Sequence, residues 1–207
     1  MMNIPSKLIA RAVSELSRLP GIGEKTALRL ALHLLRQDSD RVTAFGEAIV
    51  QMRRDIRYCS LCHNVSDDDI CSICSNPARE NQLVCVVESL RDVIAIENTG
   101  IYRGVYHVLG GVISPMDGIG PEKLEIHSLT ERIATGNIQE ILLALSPTIE
   151  GDTTMFYLSK KLQAFPVKLT TISRGIAVGG ELEYADEMTL ARSIVTRIPY
   201  DHSVSSS

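Results

Sequence analysis

Residues 59–74 read CSLCHNVSDDDICSIC, a C-x2-C-x8-C-x2-C pattern in a chain of 207 residues. Two C-x2-C pairs can present four thiolates tetrahedrally to one Zn²⁺, and a site of four thiolates has no open coordination position for catalysis. The pattern therefore predicts a structural zinc site with one ion per chain, held by Cys59, Cys62, Cys71 and Cys74. The short acidic linker between the pairs cannot bury a hydrophobic core, so the metal would hold this module together.

The alternative to zinc is a set of disulfides, which an intracellular chain disfavours. No apolar run approaches the length of a membrane helix, and the N-terminus lacks the long apolar core of a signal peptide. We therefore expect a cytoplasmic protein without a membrane partner. His63 adjoins one cysteine pair and could replace a thiolate, whereas Cys85 lies in an apolar run and is expected in the hydrophobic core.

On the N-terminal side of the cysteines, three helices are predicted. Apolar residues recur at helical spacing in residues 8–19, 27–35 and 39–57. The first two helices are joined by LPGIGEKT at 19–26, which lacks the G-x-x-x-x-G-K-[ST] spacing of a nucleotide P-loop because Glu24 separates Gly23 from Lys25. The segment is thus interpreted as a helix, a tight glycine hairpin and a helix.

This glycine hairpin is a candidate phosphate-binding site. The N–H groups of Gly21, Ile22 and Gly23 can converge at the start of the second helix, where unpaired amides and the helix dipole favour an anion. Lys25 and Arg29 are four residues apart, so both side chains can reach successive phosphates. PGIG with the following lysine resembles the helix-hairpin-helix module, which implies binding of nucleic-acid backbone without sequence preference. The alternative is an ordinary αα-hairpin whose glycines only turn the chain.

The charge distribution favours a phosphate partner for the same region. The net charge of −4 argues against a protein that coats nucleic acid with its whole surface. However, residues 1–57 hold ten Lys/Arg and six Asp/Glu, a net +4, whereas residues 58–207 hold eleven and nineteen, a net −8. The positive charge is N-terminal, although such a split can also reflect two solvated faces.

On the C-terminal side, an α/β layer with a largely parallel sheet is predicted. Short β-rich apolar runs alternate with helical segments. The runs are LVCVV (83–87), GVYHVL (104–109), EILLAL (140–145) and VKLTTI (167–172). Ser89 is a predicted N-cap, and a helix at 153–165 is predicted to end before Pro166. Beyond the sheet we expect a Gly179-Gly180 turn, a short strand, a helix capped by Asp186, and a disordered tail, VSSS.

Four carboxylates follow the predicted strands. Glu88 and Asp92 follow the first strand, and Glu150 and Asp152 follow a later one. Because functional groups gather at the carboxyl ends of parallel strands, these acids can converge and bind Mg²⁺. They can equally be solvated loop acids or helix N-terminal charges. The arrangement resembles the Toprim domain of primases, topoisomerases and repair nucleases, although Glu150-Gly151-Asp152 stands where that domain has Asp-x-Asp, which disfavours catalytic metal binding.

The order of these modules, followed by GGELEYAD at 179–186, resembles the RecR family of bacterial recombination mediators over nearly the whole chain. The resemblance implies a non-catalytic protein that forms a tetrameric ring able to encircle DNA. It also implies action with RecO and RecF to load recombinase at single-stranded gaps, in association with the nucleoid during repair. Residues 19–35 would supply DNA contacts and part of the ring interface, and the Toprim-like acids would dock partners.

We therefore expect a multidomain α/β protein. It comprises a helix-hairpin-helix DNA-binding region (1–57), a four-cysteine zinc finger (58–81), a Toprim-like domain (82–177), and a C-terminal strand-helix extension with its tail (178–207). The alternative function is a Mg²⁺-dependent nuclease or strand-transfer enzyme in which Glu88, Glu150 and Asp152 position the metal and activate water. The E-G-D sequence favours the non-catalytic function.

Overall fold

A computed structural model describes residues 4–176, 179, 181–197 and 199. It divides into two compact units, Met1–Ile56 and Arg57–Ser207. The predicted tail at 204–207 and the Gly180 half of the predicted turn lie outside the described residues. Within the described ranges, none of the helices combines the length and apolarity that crossing a bilayer requires.

The first unit consists of the three predicted helices. They are α1 (Lys7–Ser17), α2 (Glu24–Leu35) and α3 (Ser39–Asp55). Ser6 caps α1, because its hydroxyl accepts a hydrogen bond from the Ile9 N–H at 3.4 Å. Val13 of α1 and the small residues Ala27 and Ala31 of α2 form the buried core, which lets the two helices pack closely.

The apolar faces of this unit are wider than the core that they bury. Leu8, at the start of the predicted face of α1, is 81% exposed. Helix α3 buries none of its residues, and Phe45, Ile49 and Met52 are about half exposed although they recur at helical spacing. Periodicity thus predicts the helix correctly, but the described residues of the first unit leave its apolar face exposed.

The second unit begins with a small hairpin around the first cysteine pair. Strands β1 (Arg57–Tyr58) and β2 (Val65–Ser66) pair antiparallel, with Tyr58 opposite Val65. His63 closes the intervening loop in the left-handed conformation, with φ of 59°, and its N–H donates to the Cys59 carbonyl at 2.9 Å. Strands of two residues are too short for an apolar alternation to predict them.

The remainder of the second unit is an α/β layer built on four parallel strands in the order β4-β3-β5-β6. The strands are β3 (Glu80–Val87), β4 (Gly104–Val108), β5 (Glu140–Leu143) and β6 (Lys168–Thr171). The crossover helices are α4 (Leu90–Glu97), α5 (Ile126–Thr135) and α6 (Ile149–Leu162). The predicted α/β fold with a parallel sheet is confirmed.

Both faces of the sheet are buried. Successive side chains of a strand point to opposite faces, so Val84 and Val86 join the core beneath α5 and α6, whereas Cys85 and Val87 join the core that contains Val93 of α4. The strands of a parallel sheet that is covered on both faces have uninterrupted apolar sequences. Cys85 is fully buried, which confirms its predicted place in the core.

The C-terminal segment departs from the predicted strand. Leu182–Tyr184 form a 3-10 turn, so the short strand predicted there is wrong. The side chains of Leu182 and Tyr184 are exposed and no described strand lies beside them, so the ladder that a strand needs cannot form. The predicted cap is confirmed, since α7 (Glu187–Val195) begins after Asp186, whose carboxylate accepts from the Thr189 N–H at 2.8 Å.

Candidate functional site

The four predicted cysteine ligands lie together. Their sulfur atoms are all within 4.8 Å of one another, and Cys62 Sγ is 3.6 Å from Cys71 Sγ. Tetrahedral Zn–S bonds of about 2.3 Å place sulfur atoms about 3.8 Å apart, so this spacing fits zinc. Among the described residues, no other group of three or more His, Cys, Asp and Glu side chains is arranged to hold a metal ion.

The electrostatics of this cluster also favour a cation. Burial alone would raise the pKa of Cys59, but N–H groups of Cys71, Leu61 and Cys62 lower it to about 7. By contrast, the hydrogen bond with Cys74, together with burial, raises the pKa of Cys62. One thiolate therefore forms readily, whereas further thiolates at this distance need a neutralising metal ion.

The zinc module contacts the α/β layer directly. The Val108 N–H at the end of β4 donates to the Cys62 carbonyl at 2.8 Å. His63, the alternative ligand, instead places its Nδ1 3.6 Å from a Glu125 carboxylate oxygen and its ring edge-on to His107, with centroids 5.3 Å apart. His107 is fully buried, which lowers its pKa to about 3, and its Nε2 donates to the Glu125 carbonyl at 2.7 Å. The metal site is thus part of one packed structure with the sheet.

The glycine hairpin presents an open surface at the start of α2. Gly21 has φ of 77°, and a Cβ added at Gly21 or Gly23 would meet no atom within 4 Å. Gly23 is the N-cap of α2 and offers no side-chain acceptor to the first-turn amides. The expectation of three converging amides needs one correction, because the Ile22 N–H already donates to the Leu19 carbonyl at 3.1 Å. The Ile22 amide is therefore engaged in the turn, whereas the amides of Gly21 and Gly23 have no hydrogen bond within the described part of the chain.

The two predicted phosphate contacts are exposed on α2. Lys25 and Arg29 are four residues apart and both are solvent-exposed. Neither forms an ion pair with a described residue, whereas Arg18 on the C-terminal side of α1 pairs with Glu15 at 3.1 Å. Both cations are therefore available to an external anion.

The first two Toprim-like acids are engaged by neighbouring backbone. Glu88 Oε1 accepts from the Ser146 N–H at 2.7 Å, which ties the end of β3 to the segment after β5. Asp92 Oδ2 accepts from the Ser89 N–H at 2.8 Å and from its hydroxyl at 3.0 Å, in a capping box at the start of α4. Ser89 is thus the N-cap that the sequence predicts, and both carboxylates support local structure.

The second pair of acids lies on a helix. Helix α6 begins at Ile149, four residues before the predicted start, because the Thr148 hydroxyl accepts from the Gly151 N–H at 3.0 Å. Glu150 and Asp152 therefore occupy its first turn, where negative charge is favourable. Asp152 also accepts from Arg174 Nη2 at 2.5 Å and from Arg192 Nη2 at 3.5 Å.

The four acids do not form a metal-binding cluster. The hydrogen bond from Arg174 lowers the pKa of Asp152, so this carboxylate is already neutralised by the protein. Glu88, Asp92 and Asp152 each have a different partner, and no three of the predicted acids form a close group. The two arginines were not predicted as site residues, because they lie 22 and 40 positions from Asp152 and no local pattern connects them.

Family models match consecutive parts of the chain. They describe the helix-hairpin-helix of RecR for residues 9–53, the RecR zinc finger domain with four cysteines for 56–76, the Toprim domain for 82–173 and the C-terminal part of RecR for 175–198. Their order is the order of the modules in the structure. Residues 150–152 lie within the Toprim match. Arg174 lies between the last two matches, and Arg192 lies within the match to the C-terminal part of RecR.

Curated relatives extend the similarity to the whole chain. A protein named Recombination protein RecR from Bacteroides thetaiotaomicron is 59% identical over 200 residues, covering 97% of this chain and 98% of the relative. Proteins of the same name from Phocaeicola vulgatus and Porphyromonas gingivalis are 60% and 56% identical, covering 93% and 97% of this chain and 94% and 97% of their own lengths. With more than half of the aligned residues identical over nearly the whole length, the chain belongs to the RecR family of recombination proteins.

Proposed function

We propose that this chain is a non-catalytic, DNA-binding mediator of recombinational repair. The observation that carries the proposal is the glycine hairpin, whose open turn lies beside the two exposed cations Lys25 and Arg29. Phosphate contacts of this kind position a protein on nucleic acid without reading bases. The DNA contacts would be made by Gly21, Gly23, Lys25 and Arg29, and binding would be independent of sequence.

One Zn²⁺ per chain would complete the second module. All four thiolates would be ligands, so the ion would be structural and would hold the two cysteine loops together. The cysteine cluster supports this stoichiometry because its four sulfur atoms lie within 4.8 Å of one another.

The Toprim-like acids would serve a protein partner rather than chemistry. Glu88 and Asp92 are used by backbone amides and Asp152 by arginines, which supports a role without Mg²⁺. Acidic side chains repel phosphate and attract a basic protein surface, such as that of RecO- or RecF-type partners. Incubation of the pure protein with labelled DNA and Mg²⁺ or Mn²⁺ should yield no product, and cleavage that disappears in Glu88→Ala would contradict this role.

The same assignment predicts how substitutions of Glu150 and Asp152 behave. Glu150→Ala and Asp152→Ala should leave DNA affinity largely intact while weakening a basic protein partner, because the substitutions remove negative charge from the docking surface. DNA binding by fluorescence anisotropy and partner binding by calorimetry would be measured on the same preparations. Loss of DNA binding in both variants would instead place these acids at the nucleic-acid site.

Self-association into a tetrameric ring is part of the proposal. The uncovered apolar face of α3 supports it, since contiguous exposed apolar surface marks protein contacts. The protein would act in the cytoplasm, at the nucleoid during repair.

The salt dependence of DNA binding tests the central claim. A variant that lacks one phosphate contact releases fewer counterions when it binds DNA. Lys25→Ala and Arg29→Ala should therefore each flatten the slope of log affinity against log salt by roughly 0.7 to 0.9. Unrelated DNA sequences should be weakened alike. Arg41→Ala on α3 removes an exposed cation from the same unit and serves as the matched control.

Binding must be compared at equal oligomeric state, because residues 19–35 can also contribute to the ring interface. A Lys25→Ala, Arg29→Ala double variant that assembles normally should bind far more weakly than wild type. If that variant keeps wild-type affinity and salt slope, the hairpin is only a turn.

A further inference from the structure

Helix α7 needs a tertiary contact to persist. It has nine residues, Glu187–Val195, and none of them is buried. Isolated helices shorter than about 12 to 15 residues are marginal in water. The state of α7 therefore depends on what holds it against the α/β layer.

A single polar contact joins α7 to that layer among the described residues. Arg192 Nη2 lies 3.5 Å from Asp152 Oδ2 at the start of α6. All other described hydrogen bonds of α7 side chains remain within residues 186–197. The other oxygen of Asp152 accepts from Arg174 at 2.5 Å, which orients the carboxylate independently of α7.

Asp152 and Arg192 both line a cavity of about 830 Å³ at the carboxyl edge of the sheet. Among the residues that the structure describes, the charged ones that line this cavity are Asp92, Asp152, Asp186, Arg174 and Arg192. With three acids against two cations, the cavity has a net negative charge and disfavours phosphate. The apolar lining, which includes Ile96 and Met188, suits the stem of a long cationic side chain.

We propose that Asp152 is a clasp for α7, and that α7 is a displaceable wall of this cavity. Arg174 holds the carboxylate in place at the shorter distance, while Arg192 is the exchangeable cation at the longer one. A lysine- or arginine-rich segment of a partner takes the place of Arg192 and releases α7. The claim that this segment belongs to a docking partner rests on the proposed function. The claim that Asp152 holds α7 does not.

Hydrogen exchange of the α7 amides in the full-length protein tests the clasp. Arg192→Gln and Asp152→Asn should each speed exchange in residues 187–195 about two- to fivefold, the effect of losing one partly exposed ion pair. Glu150→Gln is the matched control, because Glu150 lies in the same turn of α6 as Asp152 and has no described ion pair.

The double variant isolates the pair. Arg192→Gln combined with Asp152→Asn should exchange no faster than Asp152→Asn alone, because both changes remove the same contact. Wild-type exchange rates in Arg192→Gln, or additive effects in the double variant, would overturn the clasp.

Pentalysine tests whether α7 can be displaced. In wild type it should speed α7 exchange more than NaCl at equal ionic strength, and it should have no such additional effect in Asp152→Asn. If pentalysine acts no differently from NaCl on wild type, the contact is a fixed tether and the competition is excluded. Neither the exchange measurements on the variants nor those with pentalysine use DNA or a recombination partner. A negative result in them therefore leaves the phosphate-binding proposal unaffected, and a negative result in the DNA-binding experiments leaves the clasp unaffected.

Discussion

Cys62 takes part in two kinds of contact at the residue scale. Its sulfur belongs to the metal-binding cluster, and its carbonyl accepts from Val108 of the sheet. Cys62→Ser should therefore lose zinc and destabilise the chain, since zinc contributes roughly 10 to 16 kcal/mol in zinc-finger peptides. Metal analysis and thermal unfolding in reducing buffer measure both effects.

Cys85→Ala provides the control for this substitution. Cys85 is buried in the sheet core and is not one of the four clustered cysteines, so its loss should cost about 1 kcal/mol and leave the zinc content unchanged. A Cys62→Ser protein with wild-type zinc content and stability would contradict the assignment.

Glu97 carries a pH-dependent contribution to stability. Its carboxylate accepts from Arg79 Nη1 at 2.9 Å and from the Tyr106 hydroxyl at 2.7 Å, and the Arg79 hydrogen bond lowers its pKa. A carboxylate with a lowered folded-state pKa stabilises the protein above the unfolded value, and this contribution is lost as pH falls through the folded value. Glu97→Gln should thus cost about 1 to 3 kcal/mol at pH 7, a difference that shrinks below about pH 4.

Denaturant unfolding at several pH values measures this difference. Glu131→Gln is the control, because Glu131 is well exposed and its described ion pair is with His127 on the same helix, so its cost should stay within about 0.5 kcal/mol. A pH-independent cost at Glu97 would show that the carboxylate contributes packing rather than charge.

At the scale of elements, Gly151, which lies between Glu150 and Asp152, allows the start of α6 to pack closely against the segment before it. A Cβ at this position would lie 2.0 Å from the Ser146 carbonyl oxygen, a backbone atom that cannot rotate away. Gly151→Ala should therefore destabilise the protein by about 1 to 3 kcal/mol. Gly46→Ala in α3 meets no atom within 4 Å and should stabilise it by about 0.5 to 1 kcal/mol, so equilibrium unfolding should give opposite signs.

The sequence predicts elements wherever the cause is local. The apolar runs of β3 to β6 and the capping residues Ser89 and Asp186 depend on nearby residues, and the structure contains them. The arginine partners of Asp152 are 22 and 40 residues away from it along the chain, and no local sequence pattern predicts such contacts. The false strand at 182–184 has the same cause, because β-rich composition does not supply a neighbouring strand.

At the scale of the whole molecule, the net positive charge and the exposed apolar face of α3 both belong to residues 1–57. The net positive charge is confined to residues 1–57, so the salt dependence of DNA binding should originate there. The same region also exposes the apolar face of α3, which makes it the candidate for contacts between chains as well as with DNA. Variants of the two surfaces should therefore separate assembly from phosphate binding.

Assembly through α3 is the last prediction. Phe45 and Ile49 are half exposed one turn apart, so Phe45→Ser with Ile49→Ser should leave the fold intact while raising the dissociation constant of the oligomer about tenfold or more. Native mass spectrometry over a concentration series measures the shift, and far-ultraviolet circular dichroism checks the fold. Ile101→Ser removes an 80%-exposed apolar residue from the other unit and should leave the mass distribution unchanged. An α3 double variant that keeps the wild-type mass distribution would show that this face does not join the chains.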